Sequence, residues 1–194
     1  MGICFIAYSV SRSNLALILA DPPLVWRVLE PESDASYLKQ LAAENRPSLL
    51  SRLFGKPKAV QQPRSLSFSE AELKELDVDK AWDGLRRCIR QCAPNAPDFF
   101  EGDGQVGSFE IGYGPALYAN SETIADFASA LEGFDEAALL DQLRTADFKG
   151  VYPEALWKRQ DDDARSYLVE NFRALDAFAK HCVVHQHAAI LQFT

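Results

Sequence analysis

The chain has 194 residues, 47% of them apolar, with a formal net charge of −8, enough to bury one substantial core. No apolar run approaches the roughly 20 residues that span a bilayer, so no membrane partner is expected. Phosphate contacts need clustered Lys and Arg, and the excess of acid argues against nucleic acid as a general partner.

Residues 3–8, ICFIAY, form a continuous apolar run, as a strand does when both of its faces are covered. Ser11 or Ser13 caps a helix carrying Leu15, Leu17, Ile18 and Leu19, which Asp21-Pro22-Pro23 ends. Further helical pieces follow over 24–29 and 36–44. Residues 45–66 then break the pattern. They hold Arg46, Arg52, Lys56, Lys58 and Arg64, three prolines and no carboxylate, and without those cations the remainder stands at −13. Too poor in apolar residues to build a core, this stretch is expected to be a surface insertion anchored by Leu50, Leu53 and Phe54. A contact arm for an acidic partner or a membrane surface is the alternative.

The strongest periodic signal is LDVDKAWDGLRRCIRQC, residues 76–92. Val78, Ala81, Trp82, Leu85, Ile89 and Cys92 repeat as one buried helical face. Asp77 caps its start, and Arg86, Arg87 and Arg90 lie toward its end, where the macrodipole favours cations. Trp82 is expected in the core with Asp83 on the rim. Gly84 beside them should mark the close approach of another backbone, because an interior helical glycine costs about 1 kcal/mol.

Residues 93–107 read as a loop. In FEIGYGPALY, residues 109–118, glycines flank Tyr113 and Pro115 follows, which marks a strand end that turns sharply. Asn120 or Ser121 starts a helix with Ile124, Phe127, Ala128 and Leu131 on one face, stopped by Gly133. Asp135 caps the next helix, with Phe134 and Leu139 placed as a hydrophobic staple. Residues 147–157 connect to a long helix opened by Asp161, Asp162 and Asp163, which buries Ala164, Leu168, Phe172, Leu175, Ala179 and Cys182. Residues 188–193, AAILQF, close the chain as a second apolar strand beside 3–8. The pattern predicts one α+β domain over 1–194, a small sheet with both terminal strands packed against several helices.

The start of the chain has no basic region before its apolar stretch and no small-residue cleavage site, so a cytoplasmic location is expected. Cys4, Cys88, Cys92 and Cys182 show no repeated spacing and are expected to be free thiols.

Three constellations could carry chemistry. Asp79 and Asp83, one turn apart after the capping Asp77, suit a carboxylate pair, although carboxylates in a first turn are also ordinary dipole partners. Trp82, Tyr113, Tyr118 and Tyr152 could line a cleft with Asp83 as its polar anchor, or simply be core aromatics. His181, His185 and His187 lie within seven residues, with His185 and His187 on one strand face and His181 at a helix end. No second Cys/His group joins them, so metal is not the favoured reading. No cofactor is expected, because Gly112-Tyr113-Gly114 lacks both the dinucleotide and the P-loop spacing.

Three stretches taken together carry a family resemblance: MGICFIAYSVSRSNLALILADPPLV, LDVDKAWDGL, and IGYGPALYANSETI with the later VYPEALW. The chain resembles the YfbM-like family of bacterial domains of unknown function over nearly its whole length. Asp77, Asp79, Lys80 and Trp82, and the run Gly112 to Tyr118, carry most of the specificity. The resemblance implies a compact α+β domain in a bacterial cytoplasm and implies no catalytic residues. Two functional classes follow: a non-catalytic protein that engages a basic protein partner, of the immunity type for example, and a small-molecule-binding protein or enzyme with a pocket near Trp82 and Tyr113.

Overall fold

The computed structural model describes residues 2–45 and 62–194, so the central part of the expected insertion, 46–61, lies outside the described residues. Both terminal apolar runs are strands of one sheet. In chain order the strands are β1 (Phe5–Val10), β2 (Glu75–Asp77), β3 (Gly104–Gln105), β4 (Leu117–Ala119) and β5 (Ala188–Phe193). They form an antiparallel sheet in the order β2-β1-β5-β4-β3. β1 and β5 pair from Phe5 opposite Phe193 to Val10 opposite Ala188. The ladder continues beyond them, with Cys4 N–H donating to Thr194 O at 2.8 Å and Thr194 N–H to Cys4 O at 2.9 Å.

Helices cover both faces of this sheet, which is why its central strands are apolar without alternation. On one face Phe5, Ala7, Ala189 and Leu191 pack beneath α4 (Trp82–Cys92), α5 (Ser121–Leu131), α6 (Glu136–Thr145), α7 (Glu154–Trp157) and α8 (Asp162–His185). On the other, Val10, Ala188 and Ile190 pack against α1 (Arg12–Ala20), α2 (Trp26–Leu29) and α3 (Ala35–Glu44). Three of the expected caps form. Ser11, Asp135 and Asp161 accept hydrogen bonds from the backbone N–H groups of Asn14, Ala138 and Ala164. The described tail of the basic stretch folds back on α2 and α3, where Arg64 N–H donates to the Tyr37 hydroxyl at 2.7 Å.

Six expectations are corrected. The helix expected over 76–92 begins only at Trp82, because Glu75–Asp77 pairs with Ile6 to Tyr8 as an edge strand. Asp77 caps no helix: its carboxylate accepts the Asp79 N–H at 2.7 Å. Asp79 then takes a left-handed φ of 45° into a 3₁₀ turn, Asp79–Ala81. The body that approaches Gly84 is an indole rather than a backbone, since a Cβ there would stand 2.3 Å from a ring carbon of Trp157. The fully buried tryptophan is accordingly Trp157, in the short helix α7, while Trp82 is half-buried. The loop expected over 93–107 also contributes the edge strand β3. Finally, His185 is the last residue of α8 and not part of a strand.

Candidate functional site

The break between β2 and α4 builds a polar clasp at the end of the sheet where β1 starts and β5 ends. The left-handed Asp79 turns its carboxylate toward the start of β1 and the side of α8. There the Cys4 thiol donates to Oδ1 at 3.0 Å and the Tyr167 hydroxyl donates to Oδ2 at 2.8 Å. The Tyr167 oxygen in turn accepts the Lys80 N–H at 3.1 Å. One turn on, Asp83 accepts the Tyr152 N–H at 2.7 Å, and the Tyr152 carbonyl accepts the Trp157 indole N–H at 2.9 Å. The N-terminal segment is pinned between these groups. Ile3 N–H donates to the Tyr152 hydroxyl at 3.0 Å, and Ile3 O accepts the Trp82 indole N–H at 3.1 Å. Gly2 fits there because it has no side chain: a Cβ would lie 2.3 Å from the Lys80 stem and 2.4 Å from the Tyr152 hydroxyl.

The structure thus brings Asp79, Trp82, Asp83 and Tyr152 together, with Trp82 stacked on Tyr152 at 6.4 Å and edge-on to Phe193 at 4.9 Å. Tyr113 is exposed, and its N–H donates to Phe193 O at 2.9 Å. Tyr118 belongs to the packing on the opposite face of the sheet. The three histidines lie at the far end of β5, beside Ala71. Cys4 and Tyr167 were not singled out from the sequence. The available signal was Tyr167 itself, an aromatic one position off the buried stripe of Ala164, Leu168 and Phe172.

The electrostatics fix the protonation of the clasp. The bond from Cys4, helped by that from Tyr167, holds the Asp79 carboxyl below its ordinary range against the opposing effect of burial. The same bond and burial raise the Cys4 thiol, while burial followed by the Asp79 bond raises the Tyr167 phenol. The clasp is therefore an ionised carboxylate held by two protonated donors, and neither donor is activated as a nucleophile. Beside it opens a surface groove of about 350 Å³, lined by Asp79, Lys80, Pro153, Leu156, Arg159, Asp163 and Tyr167.

Among solved structures, the fold is similar to the crystal structure of YfbM from Escherichia coli, a protein of unknown function. The TM-score is 0.52 at 15% identity, over 98% of this chain and 99% of that one. Comparison with curated proteins gave no match. No described helix is long and apolar enough to cross a membrane. Residues 1–192 match the family described as a domain of unknown function, DUF1877, and the chain belongs to that family.

Proposed function

We propose that this chain is a non-catalytic binding protein that engages a basic protein partner in a bacterial cytoplasm, an immunity-type protein masking a basic toxin being one such form. The observation that carries the reading is the internal commitment of the clasp: Asp79 accepts from Cys4 and Tyr167, Trp82 and the Tyr152 hydroxyl bond Ile3, and Asp83 accepts the Tyr152 N–H. Charge supplies the partner class. Four of the 20 cations fall in 46–61, so the described residues stand at −12, with Glu70, Glu75 and Asp77 exposed on and just before the edge strand β2. The test is calorimetric titration with the basic proteins encoded next to its gene, at low and high salt. A one-to-one complex is expected, weakened by salt and by combined Glu75→Lys and Asp77→Lys substitution. No complex with any of them would overturn the reading.

The groove beside Asp79 supports a second reading, a small-molecule site. Asp79 holds a left-handed conformation that non-glycine residues adopt at a cost, and such strain gathers at ligand sites. Under this reading a metabolite library raises the thermal midpoint, and Lys80→Ala abolishes the rise without changing the unliganded midpoint. A flat response across the library counts against it.

A further inference from the structure

The last turn of α8 carries His181 and His185 one helical turn apart, on the same side. Just past it, Gln186 takes a left-handed φ of 54°. Its N–H donates to Val183 O at 3.2 Å, and the His187 N–H donates to Cys182 O at 2.8 Å, the paired closure of a Schellman turn. The closure folds His187 back over the turn that holds the other two. The ring centres of His181 and His185 stand 4.6 Å apart, those of His185 and His187 5.4 Å, and those of His181 and His187 5.9 Å. Imidazoles that ligate one tetrahedral ion through bonds of about 2.0–2.1 Å have ring centres roughly 5 Å apart.

Two further observations point to a ligand. His187 is 6% exposed, and its Nδ1 is buried without a hydrogen-bond partner, a state that is costly unless something satisfies it. His181 Nε2 lies 2.8 Å from Ala71 O. A carbonyl only accepts, so that nitrogen carries the proton and Nδ1 presents its lone pair. Metal-bound histidines are held in this way by a carbonyl on the second nitrogen. The neighbouring acid is occupied elsewhere, since Glu72 accepts bonds from Ser69, Ser11 and Asn14. Cys182 beneath is a buried thiol in the core of the helix layer.

We propose that His181, His185 and His187 bind a divalent transition-metal ion of the zinc or nickel class through three imidazole nitrogens, leaving one position open to water or a ligand. Among the described residues no group of three His, Cys, Asp or Glu side chains stands placed to hold a metal ion, so ligation requires the His185 ring, which is exposed, to turn toward the other two. Imidazole suits these ions, and three ligands with an open position is the arrangement of reactive zinc sites.

The test is titration of the tag-free chain with Zn²⁺ and Co²⁺ near neutral pH. One ion per chain is expected, with cobalt giving visible ligand-field bands and no thiolate charge-transfer band in the near ultraviolet. His185→Ala should weaken binding by about tenfold or more. His185 is exposed, so the metal-free thermal midpoint should not move, which separates lost ligation from lost folding. Absence of binding, thiolate bands, or unchanged affinity in His185→Ala would each overturn the proposal.

Discussion

Trp157 and Trp82 show how one residue's neighbours set its energetic weight. The Trp157 indole is fully buried against Gly84, Phe148 and Tyr167, so Trp157→Ala should cost about 3–5 kcal/mol. Trp82 is half-buried, and Trp82→Ala should cost distinctly less, which urea denaturation of the two variants would show side by side. Gly84→Ala forces a methyl group into the Trp157 ring and should cost about 1–3 kcal/mol. Glu72 contributes acid-sensitive stability at the other end of the sheet. Burial raises its pKa, but donors at Ser69, Ser11 and Asn14 outweigh that and bring the carboxyl down from 4.5 to about 2. A depressed carboxyl stabilises fully above its unfolded value, and the stabilisation is lost as pH falls from about 4.5 toward 2. Urea midpoints taken across that window should fall less steeply in Glu72→Gln than in the parent chain.

At the scale of elements, the segment from Glu75 to Cys92 is instructive. Its apolar positions fit a helix throughout, yet Glu75-Leu76-Asp77 also alternates, with only Leu76 buried. Pairing with β1 takes those three residues, and the Asp77 bond to the Asp79 N–H turns the chain before α4 can start. Periodicity cannot see a partner strand that lies some 70 residues away in sequence. Helix starts were more legible, because a cap is a local hydrogen bond. Asp161 caps the 24-residue α8, so Asp161→Ala should cost about 1 kcal/mol, checked by chemical denaturation.

At the scale of the molecule, β5 is the central strand and Ala188, Ala189, Ile190 and Leu191 are fully buried between the two helical layers. Removing 188–194 should therefore abolish cooperative unfolding, as followed by circular dichroism and calorimetry. The apolar runs at both ends, the caps at Ser11, Asp135 and Asp161, and the α+β class could be read from the sequence, because each rests on composition or on neighbours a few residues away. The family resemblance lay in the same local runs. The candidate site could be read only in part. Asp79, Trp82, Asp83 and Tyr152 do meet, but Cys4 and Tyr167 join Asp79 across 75 and 88 residues of chain, a closeness that no spacing rule encodes. Tertiary packing also decided which tryptophan the core encloses, and it gathered three histidines around a left-handed Gln186. In each case the deciding contact lies with a residue distant in sequence, or with a backbone angle that residue type alone leaves open.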